Sequence, residues 1–508
     1  MKMWSGRFSQ GPDAEFEQWQ RSFPYDRVLL PYEVAASRAH ASALAKAGVL
    51  SGAELAATLS ALDQIGREGV PQADNPAIED VHHYVESRLV ELAGGLALEL
   101  REVGWKLHTG RSRNEQIATD LRLYVREQID EVTHLLGEFA GAFIRQAEAA
   151  GGTAMPAYTH LQRAEPVLVA HWLLAYVEMF LRDIGRLADC RKRLNMCPLG
   201  SGAVAGTILP LDRDGMAAEL GFASPAANSM DATSDRDFAL EFVQALSLVA
   251  LHLSRWAEEF ILFASTEFGF VRLPEQYSTG SSAMPQKKNA DALELVRGKA
   301  GRVFADATAL FIGVKGLPLA YNKDLQETQQ PVFSAAEQVC GMLRVAAGFM
   351  AAVGFDYERM QQTASCGFMN AQAAAAELVR QGVPFRRAHE LVGRAVRLCA
   401  ERGCELEQLS KQDYALCGID AGEQFYAALA LKEVLAVHNV PGGTAPARVR
   451  QALQTAKERL EDFRQASFEG ARLQACRNGE LKDPALAAEG SVPQGLKAKP
   501  SNSSGRHG

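Results

Sequence analysis

Between Glu115 and Glu148 the sequence has no proline and only two glycines, and that one run constrains the fold more than any other feature. Within it Leu121, Val125, Ile129, Val132, Leu136, Phe139 and Phe143 recur at steps of three and four. That spacing lines one face of a helix. At about 1.5 Å per residue such a helix is about 50 Å long. Two further long helices are predicted. One starts at Pro166, whose missing N–H costs nothing in a first turn, and runs to about Arg193. The other runs from about Arg236 to Thr266. Alternating strand patterns are nearly absent. The expectation is an all-α fold with a central long-helix bundle whose apolar faces are wider than one chain needs, as in helices that oligomerise to bury the rest. Shorter helices fill the flanks, so three helical domains are predicted, over residues 1–110, 111–362 and 363–465. Residues 466–508, rich toward the end in Pro, Gly, Ser and Lys, read as a disordered tail.

Composition narrows the function. Apolar residues make up 47% of the 508, enough for a large core. The net charge of −8 disfavours nucleic acid, which needs a basic face. The eight cysteines are scattered, form no C-x-x-C pair and have no histidine cluster beside them. Reduced thiols in a cytoplasmic protein are the reading, with no metal expected. The N-terminus, MKMWSGRFSQGPDAEF, has no apolar stretch of the secretory kind. The apolar run Ala239–Ser265 carries Glu241, His252, Arg255, Glu258 and Glu259, so it reads as a buried bundle helix and not a membrane span. Gly200, Gly202 and Ala205 match G-x-G-x-x-A, but a charged helical segment precedes them and no acidic residue follows at the right distance. A tight backbone turn is the better reading than a dinucleotide site.

Three polar segments break the apolar helices: His108–Gln116, Tyr158–Arg163 and Ser278–Asn289. Each alone reads as a solvated loop. Together they offer hydroxyls, amides and cations at the ends of long helices, where unpaired N–H groups already favour an anion. The third adds a pliable Gly-Ser-Ser run suited to a lid.

These segments resemble the fumarase/aspartase superfamily, whose signature G-S-S-x-M-P-x-K-x-N is matched by GSSAMPQKKN at residues 280–289. The wording resembles the argininosuccinate lyase branch. HTGRSRNEQIATD, MPAYTHLQRAEP, WSGRF at 4–8, EDVH at 79–82, NSMDATSDRDF at 228–238, LAYNKDLQE at 319–327, GVPFRRAH at 382–389 and VPGGTAP at 440–446 follow that family's order from residue 3 to about 465.

The resemblance implies elimination of an amine from an N-substituted aspartate, releasing fumarate, without metal or organic cofactor. That chemistry removes a weakly acidic proton and pushes electrons into a carboxylate, so preorganised cations and dipoles must hold the resulting dianion. Lys287 and Asn289 suit this, beside Ser112, Asn114 and Thr159, with Arg113 as a further substrate contact. By resemblance Ser281 is the base. A serine has no useful basicity alone and needs donors and desolvation to activate it. His160 is the conventional alternative. In the family it pairs with a glutamate matching Glu294 and lies near the leaving nitrogen, as acid or as support. Ser22, Asp26, Arg236, Tyr321 and Gln326 match further substrate contacts. The family builds each site from three subunits of a homotetramer.

Some positions depart from the family's usual wording: Glu115 stands for Asp, Glu165 for Gln, Ala290 for Pro, and Gln329 for a lysine that would face the amine half's carboxylate. Two other functions therefore stay open: a sister lyase acting on another aspartate derivative, such as ethylenediamine-disuccinate, or an inactive structural protein of the lens-crystallin kind.

Overall fold

The computed structural model describes residues 11–96 and 102–477; the WSGRF match lies outside them. The first long helix runs Arg113–Ala150. Ser112 caps it, with Glu115 closing a reciprocal capping box, so two orphan N–H groups are satisfied at its start. Gly151 ends it at φ 55°. Four more long helices follow: Val169–Leu194, Asp237–Ala264, Asp291–Val314 and Gln329–Ala352. They pack on one another and on the first helix around one core, with Phe139, Phe143, Phe180, Trp256, Phe260 and Phe349 wholly buried at its centre. Asp237–Ala264 is long and apolar enough to cross a membrane by composition alone, but its large side chains fill this core.

The second predicted helix begins later than expected. Pro166 lies not in a first turn but in a strand, Gln162–Leu168, paired antiparallel with Ala154–Thr159. Pro156 and Pro166 sit opposite each other in this hairpin. A two-stranded ribbon is all edge, which is where proline is tolerated. Those two prolines hide the strands from a sequence reading. The helix starts at Val169, whose N–H goes to Thr153 O at 2.9 Å.

The short helices Leu30–Lys46, Gly52–Glu68 and Val81–Leu96 share the bundle's core and do not form one of their own. A separate core gathers between Ala374 and Leu429, around Tyr414 and Phe425. The final helix, Pro446–Arg477, leaves that core and packs back along the first and second long helices through Val449, Ala456 and Leu460. It continues past residue 465, where the disordered tail was expected to begin; the tail beyond Arg477 lies outside the described residues.

The chain passes up and down the bundle, so loops collect at two ends. At one end the start of the first helix meets the loops 195–236 and 315–328. At the other, the hairpin touches Phe263 and Phe268, and Val271–Arg272 pairs with Gly354–Phe355.

Candidate active site

Two groups of predicted site residues result, one at each end. The first gathers at the start of the Arg113 helix. Ser22 Oγ donates to Asp26 Oδ2 at 2.5 Å, and Asp26 Oδ1 accepts Val81 N–H at 3.1 Å. Asp80 Oδ2 accepts Arg113 Nη1 at 2.8 Å. Asn114 Nδ2 donates to Ala203 O at 3.3 Å, and Gln326 Nε2 to Gln20 O at 3.0 Å. Tyr321 sits within electrostatic reach of Arg236, Asp80, Arg113 and Asp26. Burial raises the Tyr321 phenol, with Arg236 opposing.

Arg236 is the most unusual member. It is 1% exposed, donates through Nη1 to the carbonyl of Asp235, and leaves Nε and Nη2 without a partner. Its pKa falls to about 10 through burial. Unpaired buried donors are costly, so this guanidinium is poised for an anion. Burial, reinforced by Asp80, pushes Asp26 up to about 7. Gln329 begins the last bundle helix, is 3% exposed, and its Oε1 has no partner.

The second group lies at the other end. Thr159 and His160 are at the hairpin tip, where Thr159 pairs with Gln162 across a two-residue turn. His160 and Leu161 both stand at φ 55°, the geometry of a type I′ turn. That geometry normally selects Asn or Gly, and without them costs roughly 1–2 kcal/mol per residue. His160 is exposed at this tip.

Ser281 opens a loop closed at its base by Thr279–Gly280 pairing with Lys288–Asn289. Its Oγ accepts the backbone N–H groups of Ala283 and Met284, at 3.2 and 3.1 Å. Two donors on one hydroxyl oxygen favour its deprotonated form. Asp291 accepts Thr279 N–H at 3.1 Å, and Asn289 Nδ2 donates to Thr279 Oγ1 at 3.4 Å. Lys287 is exposed on the loop, and Glu294 is exposed in the first turn of the Asp291 helix.

The two groups cannot meet within one chain. The 38-residue Arg113 helix spans about 57 Å. Even a fully extended chain from its end to His160 recovers only about 34 Å of that.

Sequence reading missed a buried network beneath the first group. His82 Nδ1 lies 3.0 Å from Glu33 Oε2, and Gln116 Nε2 and Ser37 Oγ donate to Glu33 Oε1 at 3.0 and 2.7 Å. Arg111 Nη2 is 3.6 Å from the same carboxylate. Burial pushes Glu33 up, but Arg111 and His82 outweigh it and hold its carboxyl low. Burial and Glu33 push Asp120 well up. Glu33, His82 and Asp120 bring three potential metal-ligand atoms within 4.8 Å of one another. The Arg111 guanidinium pairs with Glu33 and the amide of Gln116 donates to it, so its negative charge is balanced by protein. The EDVH match at 79–82 and the HTGRSRNEQIATD match at 108–120 carry His82, Arg111, Gln116 and Asp120, but neither showed that they converge on Glu33.

With the geometry in place, the comparisons are direct. The backbone is similar to that of two solved structures: ethylenediamine-disuccinate lyase in complex with formate, with a TM-score of 0.80 at 24% identity over 93% of this chain and 95% of that one, and class II fumarase from Schistosoma mansoni, 0.73 at 16% over 84% and 96%. At such identities the likeness defines the fold. The family model described as "Lyase" matches residues 6–305, and "Argininosuccinate lyase C-terminal" matches 368–436. Argininosuccinate lyase of Koribacter versatilis is 66% identical over 460 residues, 91% of this chain and 98% of that one. That of Pelotomaculum thermopropionicum is 47% identical over 467 residues, 91% and 99%. The chain belongs to the argininosuccinate lyase family of the fumarase/aspartase superfamily.

Proposed function

We propose that this chain cleaves argininosuccinate to arginine and fumarate by β-elimination across a carbon–nitrogen bond. The observation that carries this is the 66% identity to an argininosuccinate lyase over nearly all of both chains.

The residues fit the following course. Ser281 takes the proton from the carbon beside the carboxylate, its oxygen activated by the Ala283 and Met284 N–H groups once the loop excludes water. The electron pair moves into that carboxylate. Lys287, Asn289, Thr159, Ser112 and Asn114 hold the dianion. The pair then returns to form the carbon–carbon double bond as the C–N bond breaks. His160, backed by Glu294, protonates or supports the leaving nitrogen. Arg113, Arg236, Tyr321, Gln326, Ser22 and Asp26 bind and orient the substrate. Each step moves only a proton or an electron pair, so the scheme calls for no cofactor.

The span between the two groups supports an active site assembled from several subunits of a homotetramer. Leu251, Leu295, Phe304, Phe311 and Ile312 are exposed along two bundle helices, an apolar surface that further copies of the chain would cover. We read the chain as three helical domains, 1–110, 111–362 and 363–465; the separate core around Tyr414 supports the last division, while the first two share one core. The buried unpaired thiols suit the cytoplasm.

Gln329 favours a second substrate, because a neutral amide stands where a lysine would pair with the arginine carboxylate. Fumarate release from argininosuccinate, ethylenediamine-disuccinate and simple N-alkyl aspartates decides between them. Argininosuccinate is expected to give by far the highest kcat/KM. No cleavage of it, with brisk release from another derivative, would overturn the substrate and leave the lyase chemistry. No release from any would leave the structural-protein reading.

A further inference from the structure

The glycine turn that fails as a dinucleotide site packs directly against the start of the Arg113 helix. The turn is rigid. Gly206 N–H bonds Ser201 O at 2.8 Å, and Thr207 N–H bonds Gly200 O at 3.1 Å. Gly202 stands at φ 62°, and a Cβ there would lie 2.9 Å from Gly206 O, so only glycine closes this loop. Arg213 braces it from behind, donating to Leu199 O at 3.2 Å and Ser201 Oγ at 3.3 Å. Ser229 Oγ holds Val204 O at 2.9 Å.

Glu115 joins this turn to the helix. Its Oε1 accepts Ser112 N–H at 3.0 Å, and its Oε2 accepts Gly202 N–H at 2.9 Å. The side chain is fully buried. Asn114 completes the contact by donating to Ala203 O at 3.3 Å. Ser112 Oγ accepts Asn114 N–H at 3.2 Å, which leaves its own O–H free to donate outward. The geometry points to Glu115 as a positioning residue. It clamps the 199–206 turn to the helix start, so that the Ser112 hydroxyl and the Asn114 amide face the substrate's carboxylate in fixed orientation. This rests on the reading of Ser112 and Asn114 as fumarate-side ligands.

A carboxylate is required because two N–H donors converge on one side chain, and only an acceptor-only group can serve both. Glutamine offers one oxygen and turns an NH2 toward the other donor. Aspartate keeps both acceptors, and it is the residue that the resembled family usually carries here.

The test measures steady-state kinetics with argininosuccinate, and thermal unfolding, for Glu115→Gln, Glu115→Asp and Asn114→Ala. Glu115→Gln is expected to raise KM and lower kcat/KM by about tenfold or more, equivalent to about 1.4 kcal/mol. Glu115→Asp should stay within about threefold of wild type, under 1 kcal/mol. If Asn114→Ala raises KM but Glu115→Gln does not, positioning is overturned and the ligand reading stands. If Asn114→Ala leaves KM unchanged, the ligand reading falls and takes positioning with it. Equal losses in the Gln and Asp variants, tracking their Tm, would make Glu115 a purely structural residue and overturn the proposal. If Glu115→Gln does not fold, Ser229→Ala loosens the same turn without touching the helix. A raised KM there supports the proposal, and an unchanged KM overturns it.

Discussion

Ser281 and Gln329 show how far single side chains carry the chemistry. The hydroxyl oxygen of Ser281 sits on two backbone N–H groups, which is the activation that a serine base needs and that its place in a motif does not reveal. Ser281→Ala is expected to abolish turnover while substrate still binds, as read by single-turnover fumarate release and equilibrium binding. Activity within about tenfold of wild type, a barrier change of only about 1.4 kcal/mol, would remove Ser281 as the base. Gln329 is buried with an unpartnered oxygen. If the arginine carboxylate reaches it, lysine would replace a neutral contact with a charge-assisted one, roughly twice as strong. Gln329→Lys should then lower KM for argininosuccinate several-fold, for a gain on the order of 1 kcal/mol. It should also lower the Tm of the free protein, because the new charge is buried until substrate arrives. An unchanged KM would mean that another cation already serves that carboxylate.

At the scale of elements, the segment 108–114 is held between the short N-terminal helices and the bundle. His40 bonds Thr109 O through Nε2 at 3.1 Å. Burial and Arg111 lower its pKa to about 3, and His108 falls to about 4 for the same reasons in the same order. Both imidazoles are neutral in the folded state and take up protons on unfolding below the ordinary histidine value of about 6.5. The stability they contribute is therefore complete above that pH and is lost as the pH falls toward the folded values. The slope is up to about 1.4 kcal/mol per pH unit for each proton. Denaturant unfolding between pH 7 and 4 should show this loss, and His40→Gln should flatten it. The same slope in wild type and variant would show that His40 does not titrate as the structure implies. The hairpin makes the complementary point. Its strands carry prolines and its turn lacks glycine, so no local preference announces it.

At the scale of the whole molecule, the length of the Arg113 helix is what the proposed shared site rests on. Ser112–Asn114 and Thr159–His160 lie beyond opposite ends of a rod far longer than a small dicarboxylate. Inactive subunits should therefore complement one another. Mixed and refolded Asn114→Ala and Ser281→Ala chains, one variant from each end of the bundle, are expected to regain part of wild-type activity, in a particle whose mass by light scattering is four chains. Mixtures that stay inactive, or a monomer in solution, would count against shared sites.

Three of the five long bundle helices were legible because a three-and-four apolar period needs only neighbours in sequence; Asp291–Val314 and Gln329–Ala352 were not singled out. The two-stranded hairpin and the late start at Val169 were not, because Pro156 and Pro166 are tolerated only in the specific pairing they adopt. The motifs at 108–116, 158–163 and 278–289 were legible as polar interruptions, and they fall at helix ends and in the hairpin. The buried cluster of Glu33, His82, Asp120 and Arg111 joins residues up to 87 positions apart, by the numbering, and no periodicity links them. The same holds for Glu115 and Gly202, whose contact crosses 87 residues. By itself the sequence determined three of the long helices, the polar segments and the family, since these depend on residue type and near spacing. Only the tertiary structure decided which carboxylate meets which donor, because a buried charge is set by partners that the folded chain brings from far away.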